Sequence, residues 1–345
     1  MSIQKHAKPV DVNQRRVING LEADVIQLYP MKHKFAWEYY NKANANHWLP
    51  TEISMQLDIE QWKNPAVISA DERSALETVL GFFTTADSIA ANNVVMGFYK
   101  HVTSPEIRMY LLRQAYEEAI HTHAYQYIVE SLGMDEAKIF NMYREVDAIY
   151  DKEEFILGFN NGIFDGTFKT GTFAADQQFL ENWCVFSLIM EGIFFYSSFA
   201  VVLGFKRQNK MVGSAEQIEY IMRDESMHLN FGIEIIQTMK EENPKLWTKT
   251  FQDHIVELVR KAVKLEYTFA RDVFPKGIFG MNADGFKQYI EHIADRRLER
   301  VGLPAQYHTA HPFPWMSETG GDLNKKKNFF ETRVTEYQTG GTLSW

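Results

Sequence analysis

Cysteine is almost missing from this chain: its 345 residues contain one, Cys184. A disulfide framework within the chain is excluded, and a cytosolic setting is the default expectation. An excess of positive charge is missing as well. The formal net charge is −9, which argues against a nucleic-acid-binding surface. Residues 1–20 are polar and lack the apolar core of a secretory signal. The usual kinds of Gly-rich phosphate loop are absent. So are a repeat of solenoid period and any strong strand-type alternation, so the expected fold is all-α. Long apolar runs are limited to one, residues 183–205, in which Glu191 is the only charge. That length would span a bilayer, but a charge in mid-segment sits where a membrane penalises it most. The run is therefore expected to be a helix buried inside a bundle, with no membrane involved.

What the chain does have is aromatic bulk and helical periodicity. Aromatics make up 14% of the residues, enough to fill wide interhelical cores. From Ser69, apolar residues recur at Leu76, Val79, Leu80, Phe83, Ala86, Ala90 and Val94, and Asp87 falls within that stripe. Ser104-Pro105 reads as an N-cap followed by proline at the first helical position. The helix it opens should run to about Leu132, with Leu111, Ala115, Glu118, His121, Tyr125, Ile128 and Leu132 on its inner face. Residues 158–171, rich in Gly and Asn, read as a loop. Further helices are expected near 174–205, 210–240, between Pro244 and Pro275, and at 283–301. Three regions follow: an irregular, mostly exposed segment at 1–30, a helical domain at 31–302, and a flexible C-terminal tail at 303–345. The tail is broken by Pro304, Pro312 and Pro314 and loosened by two Gly-Gly pairs.

Two Glu-x-x-His quartets carry the chemistry. They are Glu118-Ala119-Ile120-His121 and, 107 residues on, Glu225-Ser226-Met227-His228. Residues three apart on a helix share a face, so each quartet aims a carboxylate and an imidazole at one point. Asp87 and Glu191 add one buried acid from each of two further helices. Four carboxylates on core faces need counter-charge, and no Lys or Arg shares their stripes. Two divalent cations would balance them, and oxygen-rich sites with two imidazoles suit iron or manganese. This is the ligand pattern of ferritin-like dimetal helical bundles, here with extra flanking helices. His123, two residues past His121, faces elsewhere and reads as structural. Tyr125 lies one turn beyond His121 on the ligand face.

The order of these ligands closely resembles the small, radical-generating β subunit of class I ribonucleotide reductase. The resemblance runs from about residue 24 to the C-terminus. It rests on Asn46-His47-Trp48-Leu49-Pro50-Thr51-Glu52, Arg113-Gln114-Ala115-Tyr116-Glu117-Glu118, Met190-Glu191-Gly192-Ile193-Phe194-Phe195-Tyr196 and Arg223-Asp224-Glu225-Ser226-Met227-His228. It implies that Asp87, Glu118 and His121 bind one metal and Glu191, Glu225 and His228 the other, with Glu118 and Glu225 able to bridge. It places Tyr125 at the radical-bearing position and Trp48 and Asp224 at the near end of a radical-transfer route. Tyr337 and Glu331 match tail residues that carry the radical to a large catalytic subunit. A homodimer, dioxygen as oxidant and reduction of ribonucleoside diphosphates are implied as well. The chain is most similar to chlamydial-type small subunits, through His292-Ile293-Ala294-Asp295-Arg296-Arg297-Leu298-Glu299-Arg300 and His311-Pro312-Phe313-Pro314-Trp315-Met316. That group has Phe at the radical position and a manganese–iron pair. Tyr125 and Asp87 depart from it toward the tyrosyl-radical, diiron type. The alternatives are a metal-only cofactor, Mn/Fe or Mn/Mn, or a ferritin-like dimetal oxidase.

Overall fold

The computed structural model describes residues 11–20, 27–164, 166–273, 275–313 and 315–316. Among the described residues the chain is helical. Strand-like pairing is limited to two isolated bridges, Ile18–Val102 and Ile278–Met281. Helix α1 spans Lys34–Ala45 and α2 spans Gln56–Trp62. Helix α3, Ala70–Asn92, starts with a reciprocal cap: Glu72 N–H donates to Ser69 Oγ, and Ser69 N–H donates to the Glu72 carboxylate. It continues through π-helical turns at Asn93–Tyr99. Helix α4 spans Pro105–Leu132 and stops at Gly133, whose φ of +66° is the left-handed conformation glycine adopts freely.

Helices α5 (Glu136–Glu145) and α6 (Asp147–Phe164) follow. Next comes one continuous rod of α7 (Phe173–Cys184), a π-helical stretch (Val185–Phe194) and α8 (Phe195–Arg207). Helices α9 (Val212–Glu242), α10 (Lys249–Val273) and α11 (Ala283–Arg300) complete the body. Helix α3 packs on α4 and α8, and α9 packs on α4, on α8 and on the π-helical stretch. These four long elements form the central bundle. Helix α1 covers α4 and α9, α5 covers α3, and α10 and α11 cover the π-helical stretch. The rod is the one element among the described residues long and apolar enough to cross a membrane, and 94% of its apolar window is buried inside the protein.

Two expectations need correction and two need refinement. Residues 158–164 are the last two turns of α6 rather than a loop. Ile149, Ile156 and Ile163 recur every seven residues on its buried face, and their burial outweighs the cost of about 1 kcal/mol per helical glycine. Ser104 is the N-cap residue ahead of Pro105, as expected, but its hydroxyl caps no backbone N–H and pairs with His33 Nδ1 at 2.9 Å instead. In the N-terminal segment most of the described residues are exposed, but three are not. Arg15, Val17 and Ile18 are buried, and Val17 is held by Glu242 Oε2 at its N–H and by the Thr103 N–H at its carbonyl. Finally, the chain after residue 302 does not leave the body at once. Leu303 and Phe313 are buried, and the Asp295 carboxylate accepts the backbone N–H groups of Gln306, Tyr307 and His308.

Candidate metal centre

The bundle brings the six expected ligands to one place. Asp87 comes from α3, Glu118 and His121 from α4, Glu191 from the π-helical stretch, and Glu225 and His228 from α9. None is more than 1% exposed. Ligand atoms of Glu118, Glu191, Glu225 and His228 lie within 4.8 Å of one another, as do those of Asp87, Glu118 and His121. Glu118 turns one oxygen to each imidazole, Oε2 at 3.4 Å from His121 Nδ1 and Oε1 at 3.2 Å from His228 Nδ1. Glu225 does the same from the other side, at 3.1 Å and 3.4 Å. Asp87 Oδ2 stands 3.6 Å from His121 Nδ1, and Glu191 Oε1 stands 3.8 Å from His228 Nδ1. The arrangement is therefore nearly symmetric, with two shared carboxylates between two ends.

Nine of the inward atoms make no hydrogen bond: both oxygens of Asp87, Glu118 and Glu225, Glu191 Oε2, and Nδ1 of both histidines. Buried polar atoms are ordinarily paired. Nine orphans converging on one dry point fit the donor set of a pair of divalent cations. The opposite ring nitrogens are spoken for. His228 Nε2 faces Glu117 Oε2 at 2.9 Å, and His121 Nε2 faces Asp224 Oδ2 at a longer 3.5 Å. A carboxylate at Nε2 fixes the N–H there and leaves the Nδ1 lone pair pointing inward, the form a metal ligand needs. Gln114 Nε2 donates to Glu191 Oε1 at 2.8 Å and so orients that carboxylate.

The electrostatics show how far this cluster is from balance on its own. Burial pushes the carboxyls of Asp87 and Glu191 well above the usual range, and the neighbouring carboxylates push further. Burial works the same way on Glu118, but His228 and His121 outweigh it and hold that carboxyl down to about 2. Burial alone would lower both imidazoles, yet the surrounding acids raise them well above their ordinary value. Bound cations would supply the positive charge that protons otherwise provide.

Tyr125 is fully buried one turn from His121. Its ring stacks on Phe83 with centroids 5.0 Å apart and planes 4° from parallel. Its hydroxyl makes no hydrogen bond, and burial followed by the charge of Asp87 holds the phenol well above its usual range. Trp48, 5% exposed, donates from Nε1 to Asp224 Oδ2 at 2.8 Å, which ties the loop after α1 to His121 through one carboxylate. Arg223 secures the other oxygen of Asp224 from Nε at 3.1 Å and from Nη2 at 3.0 Å. His123 is exposed and stands outside the cluster. Tyr337 and Glu331 lie outside the described residues.

Sequence reasoning assigned no role to Gln114, Glu117 or Arg223. Gln114 did leave a signal, because it lies four residues before Glu118 on the same buried face. Glu117 left none: its contact with His228 spans 111 residues. The π-helical backbone around Glu191 is likewise invisible in apolar periodicity.

Comparison with known proteins agrees with this geometry. The family model described as ribonucleotide reductase, small chain, matches residues 25–314. A ribonucleoside-diphosphate reductase subunit beta from Chlamydia pneumoniae is 53% identical, over 98% of this chain and 97% of its own length. A ribonucleoside-diphosphate reductase small chain from Plasmodium falciparum is 31% identical, over 98% of this chain and 89% of its own. Among solved structures, a ribonucleotide reductase R2 subunit from Clostridium botulinum superposes with a TM-score of 0.81 at 27% identity. That match covers 88% of this chain and 94% of the other.

Proposed function

We propose that this chain, which belongs to the ribonucleotide reductase small-chain family, uses its buried carboxylate–imidazole cluster to hold two redox-active metal ions and generate a radical oxidant. The observation that carries the proposal is the set of nine inward ligand atoms without hydrogen bonds. Asp87, Glu118 and His121 would hold one ion, and Glu191, Glu225 and His228 the other. Glu118 and Glu225 would be shared between the two, since each shows one oxygen to each imidazole. When bound, such a pair supplies one-electron oxidation of a buried side chain, with dioxygen as the oxidant.

Tyr125 is the side chain that yields the electron. Its phenol is held neutral, so losing an electron means losing a proton as well, and Asp87 is the carboxylate that acts on it most strongly. Phe83, stacked on the ring and itself packed against Phe195 and Phe199, helps keep water from the oxidised ring. The hole then leaves along His121, Asp224 and Trp48, whose hydrogen bonds form a continuous line toward the surface. Tyr337 and Glu331 continue the route through the C-terminal tail to a large subunit, and two copies of the chain pair as a homodimer. The need for a large subunit has independent support. Reducing a ribonucleotide requires a thiol pair, and this chain has only Cys184, which is buried and whose thiol burial pushes far above its usual range.

Two irons are the proposed occupants, because Tyr125 and Asp87 depart from the chlamydial-type pattern. A manganese-containing pair with Tyr125 as a packing residue is the second reading, favoured by the 53% identity to the Chlamydia pneumoniae subunit. Electron paramagnetic resonance with elemental analysis separates the two. Wild-type protein loaded with iron and exposed to oxygen should show a tyrosyl signal that Tyr125→Phe abolishes at unchanged metal content. Full nucleotide reduction by the variant would exclude Tyr125 as the radical store.

A further inference from the structure

Helix α11 contributes no ligand, yet it inserts a buried arginine beside the metal centre. Arg297 is 9% exposed and donates from Nε to the backbone carbonyl of Gly192 at 2.9 Å. Its guanidinium also lies 4.6 Å from the centre of the Tyr196 ring. Among the described residues it forms no ion pair with an acid. A buried cation aimed at one peptide carbonyl is unusual, because Arg is ordinarily buried against carboxylates.

That carbonyl follows Glu191 directly, in the π-helical stretch Val185–Phe194. A π-helical turn carries an extra residue relative to an α-helix and needs support from outside, because its hydrogen bonds run from i to i+5. The support here is two-sided. Gly232 of α9 brings that helix so close that an added Cβ would lie 1.9 Å from Ser187 Oγ. At the other end, a Cβ on Gly192 would lie 2.8 Å from the Ser187 carbonyl and 3.1 Å from Arg297 Nε. Both glycines thus make room for a grip on the stretch that presents Glu191.

We propose that Arg297 is a positioning residue: by holding the Gly192 carbonyl it fixes the π-helical register that turns Glu191 toward Gln114 and His228. A slip of one residue to α-helical register would swing Glu191 by about 100° around the rod and out of reach of His228. This rests on the proposed assignment of Glu191 to one metal. Residues outside the coordinating set commonly change metal affinity by about 10- to 100-fold.

The test is anaerobic Mn(II) titration of the full chain followed by electron paramagnetic resonance, with no oxidation step. Wild-type protein should bind two ions that interact magnetically. Arg297→Met should weaken the site containing Glu191 by about 10- to 100-fold and leave the Asp87–His121 site at wild-type affinity. Its spectrum should become that of isolated Mn(II). Arg297→Lys, which can still donate to the carbonyl, should largely restore the interacting pair. Gly192→Ala crowds the same contact and should reproduce the selective loss if Arg297→Met does not fold. Unchanged affinity at both sites, or an equal loss at both with no rescue by lysine, would overturn the proposal. Failure of the wild type to bind Mn(II) would instead overturn the assignment of the metal centre, and the positioning role with it.

Discussion

Asp224→Asn is the sharpest perturbation of the centre that leaves every ligand in place. The Asp224 carboxylate takes four donor contacts: Trp48 Nε1 at 2.8 Å and His121 Nε2 at 3.5 Å on Oδ2, and two from Arg223 at 3.1 and 3.0 Å on Oδ1. An asparagine offers one acceptor oxygen and one amide that only donates. The oxygen should stay toward Trp48 and His121, because Arg223 is 25% exposed and can turn to water. Two charge-assisted bonds then become neutral ones, a loss of about 1 kcal/mol each, and the Arg223 contact adds about 1 more. The expected loss of stability is thus about 3 kcal/mol by urea unfolding of the metal-free protein. The His121 ring also loses its anionic partner and becomes a weaker ligand, so Mn(II) affinity at the Asp87–His121 site should fall by about 10-fold, the low end for such changes. The site containing His228 keeps Glu117 and should not change. Wild-type stability with wild-type affinity would refute this account of Asp224, and so would an equal loss at both sites.

Glu118→Ala removes the carboxylate that faces both imidazoles, so purified protein should carry less than half the metal of the wild type by elemental analysis; full occupancy would count against a bridging role. Glu153 is fully buried, and burial raises its carboxyl to about 8 against the opposing charge of Lys152. A carboxyl raised on folding loses stability as pH rises, here from about 4.5 to about 8, at up to about 1.4 kcal/mol per pH unit. Glu153→Gln should flatten that slope in unfolding experiments across the same window; an unchanged slope would place the effect elsewhere.

The central bundle and all six cluster residues were legible because each signal is local. Helical spacing within a quartet dictates which side chains share a face, and an isolated acid in an apolar stripe stands out by its cost. What was not legible depends on contacts across long stretches of chain. Glu117 meets His228 across 111 residues, and Arg297 meets Gly192 across 105. Glycine misled at residues 158 and 162 for a related reason. Its local preference is weak, and the buried isoleucines of α6 override it only after the helix has docked. Ser104 had the right neighbours for a cap, but His33, 71 residues away, competes for its hydroxyl.

The sealed stack around Tyr125 also bears on how the radical proposed there would be quenched. With the ring fully buried and lying flat on Phe83, no dissolved reductant can touch it. Any electron arriving from outside must tunnel through protein. Quenching by small reductants should then follow their driving force and leave their size and shape without effect. A tyrosyl group in an open pocket would sort them the other way, by fit.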